Sequence, residues 1–225
     1  MGNWLRRIVG KKPPTPPRKV SLRDGYAAWA QSYDEPRSAL QQIEEGVVAE
    51  LLPDLRGQRA LDVGSGKGRI ARLLLARGAS QVVAMDASVA MLHAAPGSAA
   101  LRVAADARAL PLRPALFDVA TCCLMLGHLP DPEYAIAELA NGLVRNSTFV
   151  VSLFHPDAAR RGWKRTFRDA LTGELLEVEH HIRDVQDYVA AIEAFGFRVD
   201  AEREPEHEGV RVVYALRAVR RDDSR

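Results

Sequence analysis

Three acids, each closing or interrupting a short apolar run, and one glycine-rich loop hold the chemistry this chain can do. Asp62 lies in Ala60-Leu61-Asp62-Val63, Asp86 follows Gln81-Val82-Val83-Ala84-Met85, and Asp106 follows Leu101-Arg102-Val103-Ala104-Ala105. Between the first two, Gly64, Gly66 and Gly68 alternate with Ser65 and Lys67. Glycines at the mouth of a strand let a ligand come within van der Waals distance of backbone, where side chains would block it and positive φ is needed. Two phosphate-binding loops compete for this spacing. The dinucleotide fingerprint Gly-x-Gly-x-x-Gly fails because its third glycine comes one residue early and Arg69 fills the sixth place. The P-loop fails because its first glycine would be Leu61 and the Ser or Thr after its lysine is Gly68. An acid beside phosphates would also repel them. Further along, His128 and His155 each follow an apolar run and are candidate general bases.

The elements around these residues alternate. Ile70, Leu73 and Leu74 recur at helical spacing after the loop, and Gly78 ends that helix. Ser88 is an N-cap for a helix closed by Pro96-Gly97. Leu101 to Ala105 and Leu116 to Leu124 read as a third and a fourth strand. Asp131 and Pro132 make an N-cap and first-turn pair for a helix whose Ile136, Leu139 and Leu143 face inward. Thr148 to Phe154 is a fifth strand. Asp184 to Phe195 is a helix capped by Gly196, and Val199 to Glu202 with Val210 to Leu216 form a closing antiparallel pair. Ahead of the glycine loop, Leu22, Tyr26, Trp29, Ala30 and Tyr33 share one helical face, and a second helix runs from Pro36 to Leu52.

Asp62-x-Gly64-x-Gly66-x-Gly68 resembles the first motif of the class I S-adenosylmethionine-dependent methyltransferases, in the small-molecule group near the quinone- and biotin-pathway enzymes. That cofactor has no pyrophosphate, and its amino group and sulfonium are cationic, so an acid beside the loop is an asset. The resemblance runs in ordered landmarks from Tyr26 to Phe154, with a weaker echo to the end of the chain. It implies an α/β fold: a Rossmann-like seven-stranded methyltransferase sheet with helices on both faces and an N-terminal helical lid. Tyr26-Ala-Ala-Trp-Ala-Gln-Ser-Tyr33-Asp34 resembles the lid segment, with Tyr33 near the methionine end of the cofactor. The cofactor-binding set it implies is Tyr33, Asp62, Gly64, Ser65, Gly66, Asp86, Ala87, Asp106 and Ala107. Asp86 accepts from the ribose hydroxyls and Asp106 from the adenine amino group, since a carboxylate only accepts. Where the family usually has Lys-Pro-Gly-Gly, this chain has Val144-Arg-Asn-Ser147, read as a turn distant from the cofactor.

A crevice beyond the carboxyl ends of the strands is where ligands sit in such sheets, which puts His128 and His155 on the acceptor side as candidate catalytic residues. Methyl transfer from a sulfonium builds no oxyanion on the cofactor, so positioning and exclusion of water carry much of the acceleration. No Asn/Asp-Pro-Pro-Tyr run follows the fourth strand and no metal-type acid and histidine cluster is visible, which leaves a small-molecule or carrier-bound acyl acceptor. The alternatives are a catalytically silent protein of the same fold that binds cofactor or partner, and a P-loop kinase, for which Gly68 and Arg69 are the wrong residues.

Composition sets outer bounds. The chain has 225 residues, 47% of them apolar, enough for one well-buried domain and short for two. Its 31 basic and 29 acidic residues leave a net charge of +2, which does not favour a nucleic-acid partner. Adjacent Cys122 and Cys123 suit a reducing compartment, and no run approaches the ~20 apolar residues of a membrane span, so a cytoplasmic protein is expected. Residues 1 to 20 read as a basic, proline-rich arm in which Trp4, Leu5, Ile8 and Val9 share a face, suited to peripheral membrane contact or to a loose tail. The remainder reads as one domain: a helical lid over 21–55, a cofactor core over 56–155 and an acceptor-side segment with the last strands over 156–225.

Overall fold

The computed structural model describes residues 16–33, 37–97 and 99–221. Trp4, Leu5, Ile8 and Val9 of the arm, and Asp34 of the lid motif, lie outside those residues. In chain order the elements are β1 (Arg18–Val20), α1 (Leu22–Trp29), α2 (Ala39–Leu51), β2 (Arg59–Val63), α3 (Arg69–Ala76), β3 (Gln81–Asp86), α4 (Val89–Ala94) and β4 (Leu101–Ala104). There follow β5 (Phe117–Cys123), α5 (Pro132–Gly142), β6 (Leu143–Phe154), α6 (Pro156–Arg160), β7 (Thr166–Arg168), β8 (Leu175–Val178), α7 (Val185–Ala194), β9 (Phe197–Arg203), β10 (Glu206–His207), β11 (Val210–Arg211) and β12 (Val213–Arg220).

Seven strands form the central sheet in the order β4-β3-β2-β5-β6-β12-β9. The first five are parallel, and β12 runs antiparallel to both β6 and β9. Because successive side chains of a strand point to opposite faces, each strand feeds two cores. Leu61, Val63, Ala120, Cys122, Phe149 and Val151 pack on one face with Leu139 of α5 and Ile192 of α7. Ala60, Val82, Val119, Val150 and Ala215 pack on the other with Val48 and Leu51 of α2 and Ile70 and Leu74 of α3. Strand order reverses between β2 and β5, so a crevice opens at their carboxyl ends, where the glycine loop leaves β2.

Local chemistry sets the helix starts. The Ser38 hydroxyl accepts from the Gln41 amide and the Gln41 side chain accepts from Ser38, a capping box that begins α2 at Ala39 rather than at Pro36. Ser88 accepts from the Met91 amide as expected, whereas Asp131 makes no side-chain cap bond and α5 relies on Pro132 in its first turn.

Three segments depart from the sequence reading. Residues 144–147 are not a turn: they belong to β6, where Asn146 at φ +58° accompanies a register shift opposite Phe117 and Val119. Val210 and Arg211 are not in the closing pair; Glu208 and Gly209, both at positive φ, fold them back on Glu206 and His207, and β12 begins at Val213. Arg18–Val20, read as the end of the arm, is a strand parallel to β8 in a small sheet β1-β8-β7. Helix α1 rests on that sheet at Gly25, where an added Cβ would come within 3.0 Å of Val20 and Val178.

Candidate active site

The crevice is a cavity of about 510 Å³ at the carboxyl edge of the sheet. Its floor comes from strand ends: Val63 and Gly64 after β2, Asp86 to Ser88 after β3, Ala105 to Arg108 after β4 and Cys123 to Met125 after β5. Leu22, Arg23, Tyr26 and Tyr33 line it from the N-terminal segment, and His128 and Leu129 line it from beyond β5. Thus Tyr33, Gly64, Gly66, Asp86, Ala87, Asp106, Ala107 and His128 share one cavity, while Asp62, Ser65 and His155 are not among its walls.

The glycine loop is held by its own backbone. The Gly64 and Ser65 amides both donate to the Met85 carbonyl, at 2.8 and 3.0 Å. Gly64 sits at φ +71°, and a Cβ there would come 2.4 Å from Met125 Cγ, so only glycine fits. At Gly66, φ +53°, nothing stands within 4 Å of an added Cβ, which leaves its backbone open to the crevice. Arg69, the residue that breaks the dinucleotide fingerprint, reaches instead to the buried Glu44 and, at 3.2 Å, to Glu45. The Ser152 hydroxyl donates to Glu44 at 2.7 Å, so this residue ties α2 to α3 and to the middle of the sheet.

Each acid has a different state. Asp86 Oδ2 accepts from the Gly66 amide at 2.8 Å and Oδ1 from the Ser88 amide at 2.7 Å. Burial raises its pKa against the pull of these two amides. A carboxylate offers about four acceptor positions, so two remain for a ligand. Asp62 is beneath the loop: its Oδ1 accepts from Thr121 Oγ1 at 2.8 Å, and its buried Oδ2 has no partner among the described residues. Burial lifts its carboxyl to about 7, against the Thr121 bond, so a cation placed above it would favour the ionised form. Asp106 is half-exposed and gripped by Arg108 at 2.6 to 3.2 Å; that guanidinium holds its carboxyl below the usual range. Ser65 Oγ is buried without a partner among the described residues.

The histidines separate. His128 is buried, in the short 3-10 turn after β5, with Nδ1 2.8 Å from the Glu179 carbonyl and Nε2 2.8 Å from Tyr26 Oη. A carbonyl only accepts, so Nδ1 carries the proton and Nε2 accepts from the Tyr26 hydroxyl. Burial, and then the Arg165 charge, push its pKa down to about 3, and His128 is neutral at physiological pH. His180 stands edge-on to His128 at 5.2 Å, in a place that only Gly127 leaves free, since a Cβ there would lie 2.3 Å from His180 Nε2. His155 faces elsewhere. Its Nδ1 accepts from the Asp157 amide at 3.0 Å as the N-cap of α6, and its Nε2 lies 3.8 Å from Glu204. The expected pairing of both histidines in one crevice therefore does not hold, because the chain turns into α6 directly at His155.

Sequence reasoning missed Arg165, which is buried beside Tyr26, and Arg108, which competes for Asp106. Arg165 follows no landmark, and its neighbours at 26, 29 and 128 are remote in sequence; Arg108 stands two residues from Asp106, a spacing at which a guanidinium reaches back to a carboxylate.

Comparison with known proteins agrees with this architecture. A methyltransferase domain family matches residues 61–151. A ubiquinone biosynthesis O-methyltransferase of Neisseria meningitidis serogroup C is 40% identical over 96 residues, 39% of this chain and 40% of that protein. The enzyme of the same name from Xanthomonas campestris pv. campestris is 30% identical over 174 residues, 72% of each chain. For the relatives of higher identity, the match spans less than half of their length. The structure of magnesium protoporphyrin IX methyltransferase from Synechocystis, with bound S-adenosylmethionine, superposes with a TM-score of 0.64 over 86% of this chain and 97% of that one; at 21% identity the likeness is one of fold. With a relative matched across nearly three quarters of both chains and the domain match beginning at the strand that leads into the glycine loop, this chain belongs to the small-molecule group of the class I S-adenosylmethionine-dependent methyltransferases.

Proposed function

We propose that this protein transfers the methyl group of S-adenosylmethionine to a small-molecule or carrier-bound acyl acceptor. The observation that carries this reading is Asp86: a carboxylate at the end of β3, oriented by two amides, with acceptor positions left in the crevice beside an open Gly66. That chemistry suits a pair of hydroxyls rather than a phosphate. The orphaned buried Oδ2 of Asp62, under the loop, suits a cationic ligand above it. Asp86 and Ala87 would hold the ribose. Asp106 and Ala107 would meet the adenine, its amino group sharing Asp106 with Arg108. Gly64, Gly66 and Tyr33 would flank the amino-acid end, with Asp62 and Ser65 supporting from below. When bound, the cofactor supplies an electrophilic methyl group on sulfur.

The chain's own residues then have defined tasks. Helix α1 covers the crevice and limits water there. Tyr26, its hydroxyl directed by His128 Nε2 and approached by Arg165 at 3.3 Å, presents an oriented oxygen to the acceptor. His128 acts through Tyr26 and is a positioning residue. No catalytic part is assigned to His155, which caps α6.

The acceptor follows from the relatives only as a class: two carry names of ubiquinone biosynthesis O-methyltransferases, and a small organic acceptor is the corresponding reading for this chain. Among the described residues no helix is long and apolar enough to cross a membrane. The test is a screen of metabolite extracts with purified protein and S-adenosylmethionine carrying a deuterated methyl group. The expected result is an isotope-labelled product in at least one extract, lost when the protein is omitted. Cofactor binding without any labelled product would favour the silent alternative.

A further inference from the structure

A second cavity, of about 310 Å³, adjoins the crevice and shares Tyr33 with it. Trp29 and Phe167 form one wall, stacked at 4.5 Å with planes 5° apart, and Arg165 lines the interior with Arg168 nearby. Arg165 is 8% exposed, yet no carboxylate among the described residues pairs with it; the hydroxyls of Tyr26 and Tyr33 are its hydrogen-bonding partners. Its Nη2 donates to Tyr26 Oη at 3.3 Å, its guanidinium lies 6.0 Å from the Trp29 ring centre, and its buried Nε has no acceptor. Arg69, whose side chain is nearly as buried, has both Glu44 and Glu45. A buried cation is costly unless a counter-charge pairs with it, and a planar guanidinium matches a planar carboxylate.

We infer that Arg165 is the receptor for a carboxylate on the methyl acceptor, whose ring lies in the aromatic second cavity and whose reacting atom reaches past Tyr33 into the cofactor crevice beside Tyr26. The inference rests on the proposed methyltransferase reading and narrows its substrate class to planar or aromatic acids. The volume suits a single ring with short substituents, the Trp29 and Phe167 wall offers it a stacking surface, and Tyr26 joins Arg165 to the crevice. The cofactor has a carboxylate of its own; Arg165 is assigned to the acceptor because it lines the second cavity and is not among the crevice walls.

The test is calorimetry on the full chain with S-adenosylhomocysteine, 5′-methylthioadenosine, benzoate and its neutral isostere benzamide. In the wild type saturated with S-adenosylhomocysteine, benzoate is expected to bind roughly tenfold or more tighter than benzamide. Arg165→Gln erases that preference and leaves S-adenosylhomocysteine affinity within about threefold, while Arg165→Lys keeps part of it. Equal affinity for benzoate and benzamide in the wild type overturns the inference, even if Arg165→Gln does not fold. Loss of S-adenosylhomocysteine affinity in Arg165→Gln with 5′-methylthioadenosine unaffected also overturns it, by assigning Arg165 to the cofactor's carboxylate. Failure of the wild type to bind S-adenosylhomocysteine strikes the methyltransferase reading instead, and the benzoate comparison is then read without it.

Discussion

Tyr26→Phe and His128→Ala are each expected to lower kcat about 10²-fold on the authentic acceptor, with the dissociation constant of S-adenosylhomocysteine changed by no more than a few-fold. Tyr26→Phe removes the oxygen proposed to meet the methyl acceptor, and His128→Ala leaves that oxygen without the ring nitrogen that directs its proton. The two changes interrupt one interaction, so the double variant should lose little more than either single one. The pH profile separates this account from simple general-base catalysis. A free histidine would give a rate rising through about 6.5. With His128 held down to about 3 by burial and by the charge of Arg165, it is deprotonated throughout pH 5–8, and no limb in that range should depend on it. A limb near 6.5 that vanishes in His128→Ala would contradict the buried, Tyr26-bonded state of this histidine.

Asp86→Ala is expected to weaken cofactor binding at least tenfold, because charge-assisted hydrogen bonds are worth about 1.5–3 kcal/mol each. The change also frees the Gly66 and Ser88 amides, so part of the loss comes from a looser loop. Asp86→Asn should be milder, since its one carbonyl oxygen keeps some acceptor capacity. Calorimetry with S-adenosylhomocysteine, beside circular dichroism to verify folding, checks both. Normal binding by a folded Asp86→Ala would mean that the end of β3 is not where the ribose hydroxyls are held.

The legible parts of this molecule are those that depend on near neighbours in sequence. Asp62, the alternate glycines and Asp86 lie within one strand-loop-helix-strand unit, so spacing alone placed the loop and the Asp86 strand end on one crevice. The same spacing did not show that Asp62 points beneath the loop toward Thr121, which depends on pairing with a strand nearly sixty residues away. The position of His155 after a strand end does not say which way the chain turns next, and in the structure its ring caps α6. The small sheet under α1 was invisible, since Arg18–Val20 continues a basic, proline-rich stretch and finds its partner only at Leu176 to Val178. Arg165 illustrates the same limit: its meaning lies in Tyr26 and Trp29 of α1 and in His128 of the turn after β5, two parts of the chain remote from it in sequence.

The central claim is that the crevice at the ends of β2 to β5 is built for a cationic, phosphate-free nucleoside. Calorimetry of the full chain against S-adenosylmethionine, S-adenosylhomocysteine, ATP with Mg²⁺ and NAD tests it most directly. The account predicts saturable binding of the two sulfur ligands, weakened by Asp86→Ala, and no measurable binding of ATP or NAD at the same concentrations. Tight binding of ATP with no response to either sulfur ligand would contradict it.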